Sequence, residues 1–542
     1  MRFIAFILCL ILVWFTSCKT EKEVQDYPPI DQEVIAKHMA ALASDEFQGR
    51  MPCTEGETKT VAYLQQEMKR IGLQPLTDNG YLQEVPLVDV SGKMTSNMVV
   101  NTKDDDIVLD PGDDFVIHSE RTEKSLSLDN SQLVFCGYGI QSDKEGWNDY
   151  DGIDMKGKTA VILINDPGFG GEDPNFFKGN TMTFNGRWDR KYDVADATGA
   201  DGLIIIHETA SAGYPWFVVQ SSWTGSMQGL DGVDRSEDCA IKGWWTLDAA
   251  QEIFNSCGLD LGKLIRDARK PGFKPVPMNA TVNASLENSY SSCKSNNVAG
   301  YIKGSKNPEE YIIYTAHWDH IGIGNPVKGD SIYNGALDNA SGTSTVLAIA
   351  ESLSKSSPER SIVFLFVTAE EQGLLGSEYY VENPLVPLDA TVANLNMDGV
   401  NPAGKMKDFT ITGMGHSEMD QLAEVAAKAQ GRYVQNEEEP EKGYFFRSDQ
   451  FNFARKGVPV LYADGGYDHW DKGKEYALNF RETYTAERYH APADNYDPEN
   501  WNFDGMVQDG QIYLNIGYDL SNSDKWPEWY DSSEFSRPKI KD

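Results

Sequence analysis

The sequence is poor in positive charge. Its 542 residues hold 48 lysines and arginines against 83 aspartates and glutamates, a formal net charge of −35. Proteins that bind nucleic acids gain much of their affinity by neutralising phosphates with a basic face, so we expect no nucleic-acid partner. The charge does not indicate disorder, because 40% of the residues are hydrophobic and 11% are aromatic. The length predicts two or three globular domains.

Cysteines are also few, and none is spaced for a zinc finger. The chain has seven cysteines. Cys9 lies in the signal peptide described below and Cys18 directly follows it, which leaves five cysteines, an odd number with no CxxC pair. No disulfide framework is indicated, although one or two bridges are compatible with an oxidising compartment. The cysteines therefore do not indicate the chemistry of the protein.

No apolar run reaches the length of about 20 residues that crosses a bilayer. Residues 3–15 are apolar, follow one positive charge and precede a small polar pair, which is typical of a secretory signal peptide. Ser17-Cys18-Lys19 resembles a bacterial lipobox, in which the cysteine becomes lipidated. The alternative is ordinary cleavage with an unmodified Cys18. We expect residues 1–17 to be a lipoprotein signal peptide and residues 18–32 a tether. The protein would be an exported bacterial lipoprotein, periplasmic or at the cell surface, anchored to the membrane.

Two patterns divide the rest of the chain. Residues 111–290 are β-rich, with glycine-rich and aromatic loops, and predict an inserted module. In residues 291–542, strands alternate with helices, which predicts an α/β fold with a doubly wound, mostly parallel sheet and helices on both faces. Residues 33–110 are assigned to the same domain. The strands predicted in its second part are 311–316, 361–368, 392–396 and 458–462, and the helices are 340–353 and 418–430.

Histidines and acids follow the predicted strands at the points where those strands end. The candidates are His317, Asp319, Asp338, Glu370, Glu371, Asp398 and His490. Because ligands of doubly wound sheets bind at the carboxyl ends of the strands, we expect most of these side chains on one rim. Two histidines and three carboxylates can hold two divalent ions, with one carboxylate bridging them, and this donor set suits zinc. A further carboxylate is needed to take a proton from a shared water, so Glu370 and Glu371 can divide the two roles.

These motifs resemble the bimetallic zinc exopeptidases of the aminopeptidase Y and aminopeptidase S type. That family includes glutamate carboxypeptidase-like and transferrin-receptor-like proteins. The resemblance extends over about residues 33–521 and is interrupted by the β-rich module. The module is similar to the protease-associated domain that these peptidases often carry as an insertion.

The resemblance implies a role for each candidate residue. The ligands of two Zn²⁺ ions would be His317, Asp338, Glu371, Asp398 and His490. Asp338 would bridge the ions, His317 would share one ion with Asp398, and Glu371 would share the other with His490. The catalytic residues would be Glu370 as general base, Tyr489 as hydroxyl donor to the oxyanion, and Asp319 as acceptor of the second ring N–H of His317. His320 is the rival of His317 and is interpreted as a loop residue near the site.

The resemblance implies a zinc metallopeptidase that uses a metal-bridged water, with aminopeptidase action on peptides as the first choice. The alternatives are a glutamate-carboxypeptidase-type carboxypeptidase, a glutaminyl cyclase with a single zinc, and a non-catalytic, transferrin-receptor-like binding protein. The complete ligand set counts against the last two. Hypothetical pocket residues are Tyr444, Phe445, Phe446 and Arg447. Arg447 would instead favour an acidic or C-terminal carboxylate, and Ser448-Asp449 receives no role. The sequence does not indicate the oligomeric state.

Overall fold

The computed structural model describes residues 27–223 and 226–537. The predicted signal peptide and Cys18 lie outside these residues. The strands are β1 (Gln74–Pro75), β2 (Leu82–Met94), β3 (Val99–Asn101), β4 (Asp106–Val108), β5 (Phe115–His118), β6 (Ser125–Phe135), β7 (Gln141–Ser142), β8 (Trp147–Asn148), β9 (Lys158–Leu163), β10 (Gly202–Ile206), β11 (Ser226–Leu230), β12 (Ile241–Trp245), β13 (Val276–Ile302), β14 (Asn307–His317), β15 (Gly322–Val327), β16 (Asp330–Tyr333), β17 (Arg360–Val367), β18 (Thr391–Asn396), β19 (Asp408–Ile411), β20 (Tyr433–Asn436) and β21 (Val460–Asp464). The α-helices are α1 (Gln32–Leu42), α2 (Glu55–Ile71), α3 (Trp188–Ala197), α4 (Thr209–Ala212), α5 (Trp216–Ser222), α6 (Leu247–Ser256), α7 (Leu261–Ala268), α8 (Ser341–Leu353), α9 (Leu375–Glu382), α10 (Met419–Ala429), α11 (Gln450–Arg455), α12 (Gly473–Glu487) and α13 (Phe503–Ser521).

The centre of the main sheet is parallel. Strands β17, β14, β18 and β21 lie side by side in that order and run in one direction. β13 pairs antiparallel with β17 at one side, and β19 pairs antiparallel with β21 at the other. Successive residues of β14 enter different cores: Ile312 packs with residues of α1, α8 and α13, whereas Ile313 packs with residues of α9 and α11. The predicted α/β fold, with a doubly wound, mostly parallel sheet and helices on both faces, is confirmed.

The chain between β2 and β13 builds a second, β-rich part. Its strands β6, β9, β10 and β12 are parallel neighbours, and β5 pairs antiparallel with β12. β13 is 27 residues long: its first half pairs with β6, and its second half pairs with β2 and β17. The predicted boundary between residues 290 and 291 therefore falls inside one strand, which the two parts share. A protease-associated identity for the β-rich part stays a prediction.

Helix α2 illustrates how local sequence fixes an element. The Thr54 hydroxyl accepts the N–H of Gly56 at 3.1 Å and caps the first turn. Gly72 ends the helix with φ +90°, a left-handed conformation that favours glycine. The buried face carries Val61, Leu64 and Met68, as the periodicity predicts. No helix in residues 27–223 and 226–537 is both long and apolar enough to cross a membrane.

A disulfide joins the segment before helix α2 to β13, the strand that the two parts share. Cys53, directly before the cap of α2, is bonded to Cys293 in β13, 240 residues away. Because so long a loop is closed, we expect the double variant Cys53→Ala/Cys293→Ala to lose about 2–5 kcal/mol of unfolding free energy. Urea unfolding measures this loss. Cys257→Ala, which removes a free, half-buried thiol, is the control. Equal unfolding midpoints for the double variant and the wild type would contradict the expectation.

Candidate metal centre

The predicted site residues stand where strands and helices end. His317 is the last residue of β14, and Asp338 lies in the π-helical turn Ala336–Ala340 before α8. Glu370 and Glu371 follow β17, and Asp398 follows β18. His490 comes from a different direction, after the end of α12. The residues at the carboxyl ends of the three neighbouring parallel strands β14, β17 and β18 thus lie on one rim of the sheet, as expected for a doubly wound fold.

Three of these side chains converge on one point. The Nε2 atom of His317 lies 3.2 Å from Oδ1 of Asp338 and 3.3 Å from Oδ1 of Asp398. His317 is fully buried, and Asp338 is 9% exposed. Burial alone lowers the pKa of His317, but the charges of Glu370 and Asp398 raise it well above its ordinary value. The surroundings of the imidazole are therefore strongly negative, a field that favours a cation.

A second group forms around the other oxygen of the same aspartate. The Nε2 atom of His490 lies 3.3 Å from Oδ2 of Asp338 and 3.0 Å from Oε2 of Glu371. Asp338 thus directs one carboxylate oxygen to each histidine. The structure brings together all five residues that the family resemblance implies as ligands.

The donor set fits zinc. Two donors held about 2.0–2.2 Å from a tetrahedrally coordinated zinc lie about 3.3–3.5 Å apart. The four separations between histidine nitrogens and carboxylate oxygens in the two groups are 3.0, 3.2, 3.3 and 3.3 Å. Imidazole nitrogen with carboxylate oxygen is also a donor combination that zinc accepts. In each group a histidine and two carboxylates would hold the ion, with Asp338 common to both.

Glu370 lies beside the first group without joining it. Its Oε2 is 3.9 Å from Nε2 of His317, and its side chain is 10% exposed. Burial raises the pKa of Glu370 well above its ordinary value, and the charges of Asp398 and Glu371 act in the same direction. Such a raised pKa makes a carboxylate a better proton acceptor near neutral pH. At this position Glu370 can accept or donate a proton beside the two groups of candidate metal ligands.

Asp319 differs from the prediction. The Nδ1 atom of His317 lies 3.2 Å from the main-chain carbonyl oxygen of Asp319, whereas the nearer carboxylate oxygen is 3.8 Å away. The carboxylate instead accepts the main-chain N–H groups of Glu370 at 3.1 Å and Glu371 at 3.4 Å. In this structure Asp319 orients the loop that carries the two glutamates.

His320 belongs to the second group, and sequence reasoning missed this. It is fully buried, and its Nδ1 forms a short hydrogen bond with Oε1 of Glu371. The oxygen of Glu371 that it binds is the one that does not face His490. His320, Asp338 and Glu371 also lie close enough together to share an ion. The signal in the sequence is its position three residues after His317, in the loop that follows β14.

Buried polar side chains hold the loops of the site in place. The Arg50 guanidinium, 1% exposed, donates to the carbonyls of Trp318, Asn334 and Gly335 at 2.6–2.9 Å. The Asp494 carboxylate accepts the main-chain N–H of Asp338 at 3.1 Å. These contacts reach the segments beside His317 and Asp338 from parts of the chain far away in sequence.

Two further residues lie beside the candidate ligands. The Ser448 hydroxyl donates to Oδ2 of Asp398 at 2.7 Å, on the oxygen that does not face His317. Asp449 is fully buried, and burial raises its pKa to about 7. The Ser448-Asp449 pair, which received no role from the sequence, therefore lies at the site.

One predicted aromatic residue lies beside His490, and two others lie in the core. Tyr489 is 50% exposed and stacks on the His490 ring with centroids 3.9 Å apart. Phe445 and Phe446, expected in a pocket, instead lie in the core with Phe451. Their pocket assignment is corrected by this burial: the segment folds so that both rings pack under the sheet.

The match to known proteins falls on the part of the chain that carries this site. Residues 297–514 match the sequence model of Peptidase family M28. The protein therefore contains a peptidase family M28 domain. All five candidate ligands lie within the matched residues.

Two curated relatives and one solved structure extend this likeness. The chain is 36% identical over 138 residues to aminopeptidase NAALADL1 of Mus musculus, covering 24% of this chain and 17% of that protein. It is 33% identical over 315 residues to the probable glutamate carboxypeptidase AMP1 of Arabidopsis thaliana, covering 53% of this chain and 40% of that protein. The chain thus spans less than half of either relative. The structure of an aminopeptidase from Aneurinibacillus sp. strain AM-1 superposes with a TM-score of 0.50, 18% identity and coverage of 94% and 98% of the two chains, which shows a common fold.

Proposed function

We propose that this protein is a zinc-dependent aminopeptidase that removes N-terminal residues from peptides and binds two zinc ions. The observation that carries the proposal is the position of Asp338, which offers one oxygen to the His317 group and the other to the His490 group. A carboxylate that offers one oxygen to each of two donor groups can bridge a pair of neighbouring ions. The M28 domain and the names of the relatives point to the same chemistry.

Each residue of the proposed site has a distinct task. Zinc, when bound, polarises the scissile carbonyl and lowers the pKa of water. Glu370 accepts the proton that the attacking water releases and returns it to the leaving amine, because it lies beside the ligands without joining them. Tyr489 borders the site next to His490, where its hydroxyl can donate to the developing oxyanion. His320 and Ser448 hold the far oxygens of Glu371 and Asp398.

A carboxypeptidase of the glutamate carboxypeptidase type is the second candidate. It is favoured by the likeness to the Arabidopsis protein of that name. Both activities would use the same metals and the same base, so the metal groups do not distinguish them. The distinction lies in which end of the peptide must be free.

A substrate panel on the purified protein tests the proposal. We expect about two zinc ions per chain, hydrolysis of aminoacyl p-nitroanilides, and no hydrolysis of their N-acetylated counterparts. Removal of zinc by a chelator should abolish the activity, and added zinc should restore it. Cleavage of N-acetylated peptides from their C-terminus would favour the carboxypeptidase instead. A zinc-loaded protein that is inert towards both sets would refute the proposal.

We propose further that the protein is an exported bacterial lipoprotein attached to a membrane through Cys18, which the lipobox-like Ser17-Cys18-Lys19 supports. The expected result is that Cys18→Ala moves the protein from the membrane fraction to the soluble fraction of cells, because the lipid would be lost. Cys257→Ala should leave the distribution unchanged. Membrane attachment of the Cys18→Ala variant equal to that of the wild type would refute lipidation.

A further inference from the structure

The chain enters the fold at one end of the main sheet. We call this end, where strands β14, β17, β18 and β21 begin, the base. The Tyr27 hydroxyl donates to Oδ2 of Asp519 at 3.0 Å, close to the end of α13. The Pro29 carbonyl accepts the hydroxyl of Ser352, in the last turn of α8, at 2.8 Å. Arg360, the first residue of β17, donates to the carbonyl of the residue after Asp519 at 2.9 Å. The first described residues therefore lie at the base.

The candidate metal ligands lie at the opposite end of the same strands. His317 is the last residue of β14, and Glu370 and Glu371 follow the end of β17. Helix α8 begins three residues after Asp338 and runs back to the base over 13 residues. At about 1.5 Å per residue, this helix spans about 20 Å. The rim that carries the candidate ligands is therefore separated from the base by about that distance.

The β-rich part lies still further from the base. β13 runs antiparallel to β17, so its end at Ile302 is near the base and Val298, opposite Phe366, is near the rim. The preceding residues of β13, from Leu286 to Val298, pair with β2 without a register shift. At about 3.3 Å per residue, this stretch extends about 40 Å beyond the rim. The first half of β13, and with it the β-rich part, is therefore on the side of the rim that faces away from the base.

The sequence between Cys18 and the described fold is short. Tyr27 is nine residues after Cys18. Even an extended chain spans at most about 3.6 Å per residue, so nine residues reach about 32 Å. An orientation with the β-rich part against a membrane would lift the base by about 60 Å, beyond this reach. A lipid on Cys18 would therefore hold the base closer to the membrane than the rim.

The surface of the base is built from three segments that contact one another. The Ser305 N–H donates to the carbonyl of Pro358 at 2.9 Å. Arg360 donates through Nη1 to the carbonyl of Lys525 at 2.7 Å. These contacts join the turn between β13 and β14, the connection from α8 to β17, and the chain after α13. The segments are 303–310, 354–360 and 522–528. Together they form one continuous surface at the base.

The charge of this surface differs from that of the whole chain. The three segments hold five lysines and arginines and five aspartates and glutamates, so the surface is formally neutral. The whole chain has a net charge of −35. Anionic lipids create a negative surface potential that repels acidic protein surfaces and falls off within a Debye length. The base is therefore repelled less by an anionic membrane than an average face of this protein.

We infer that the base is the surface that faces an anionic phospholipid membrane, and that the rim with the candidate metal ligands and the β-rich part face away from it. The enzyme then acts on peptides dissolved in the aqueous compartment and not on chains held at the membrane surface. The orientation rests on the proposed attachment through Cys18, and its consequence for the substrate rests on the proposed peptidase function.

Energy transfer to lipids with labelled headgroups tests the orientation. The chain from Cys18 onward, with Cys257→Ala, is coupled through Cys18 to a maleimide lipid in vesicles that contain phosphatidylglycerol. The remaining described cysteines are buried or paired. A donor dye on an introduced p-acetylphenylalanine replaces one exposed side chain at a time, and the three positions are Lys355 at the base, Ile323 in the hairpin at the rim, and Lys103 in the β-rich part.

Transfer should decrease from the base label to the rim label and from the rim label to the label in the β-rich part. Because tens of ångström separate the first label from the last, their transfer efficiencies should differ by about twofold or more. The matched control is a Cys18→Ser chain coupled through Lys103→Cys, in which the base label should transfer less than the rim label. Equal transfer from all three labels of the Cys18-coupled chain, or the reverse order, would overturn the inference.

A peptide attached to the same vesicles tests the consequence for the substrate. Coupling through Cys18 should leave kcat/KM for a dissolved aminoacyl peptide unchanged, because the rim stays open to the solution. A peptide held at the lipid headgroup by a linker of a few residues should be cleaved at least about 10-fold more slowly than the same peptide on a linker longer than about 60 Å, which reaches past the base and the rim. Equal cleavage with both linkers would count against the orientation.

The outcomes of the three proposals are separable. If no peptide is hydrolysed at all, the peptidase proposal fails, and energy transfer still decides the orientation. The maleimide coupling supplies the anchor chemically, so the orientation is also decided if the fractionation of Cys18→Ala shows that cells do not lipidate the protein.

Discussion

The variant Glu370→Gln is expected to lose activity on peptides while it keeps its zinc. The amide has nearly the shape of the carboxylate, but it cannot accept a proton at the working pH. Glu370 is outside both donor groups, with its Oε2 3.9 Å from Nε2 of His317, so the affinity for zinc should change little. Loss of a general base typically lowers the rate by about 10²–10⁴-fold. The measurement is kcat on an aminoacyl p-nitroanilide together with the zinc content of the same preparation.

A matched variant separates the chemical effect from a structural one. Glu382→Gln makes the same replacement at an exposed glutamate of α9, which pairs with Lys456 at 2.6 Å. It should retain the wild-type kcat. The role of Glu370 would be wrong if Glu370→Gln kept its kcat. A simultaneous loss of zinc would instead mean that Glu370 acts as a ligand.

The sequence predicted most of the candidate ligands because they follow directly after a strand that the sequence pattern identifies. A continuous apolar run such as β17 identifies a central strand, and the residue types that follow it then stand at the rim. His317, Glu371 and Asp398 were found in this way, and the family resemblance supplied the pairing through Asp338. The structure brings these residues to separations of 3.0–3.3 Å, which no sequence pattern specifies.

The contacts that orient the ligands were not predictable in the same way. Asp319 and His320 lie in an irregular loop, where the choice between a side-chain and a main-chain acceptor depends on φ and ψ rather than on residue type. Arg50 donates to carbonyls that lie far away in sequence, those of Trp318, Asn334 and Gly335, and no local periodicity encodes such contacts. β13 was missed as one strand because its two halves pair with different partners, and its sequence is polar where it crosses between them.

Asp338→Ala is expected to remove both of the proposed zinc ions and, with them, the proposed activity. This carboxylate is the only side chain among the five candidates with an oxygen near each histidine, at 3.2 Å from His317 and 3.3 Å from His490. Removing a partner that only orients a ligand typically costs 10- to 100-fold in metal affinity. Loss of a shared ligand should therefore lower the affinity of both sites by more than about 100-fold.

Variants that remove a ligand from only one of the two groups test whether Asp338 bridges the two ions. Asp398→Ala removes a donor from the His317 group alone, and Glu371→Ala removes one from the His490 group alone. Each should weaken one zinc ion strongly and the other only slightly, which competition with a chromogenic chelator resolves into two affinities. Asp330→Ala, in the exposed hairpin of β15 and β16, is the control and should bind as the wild type does. An Asp338→Ala variant that loses only one ion would show that the carboxylate belongs to a single group. The shared-carboxylate argument for a two-ion centre would then fail, because that argument depends on both oxygens of Asp338 being used.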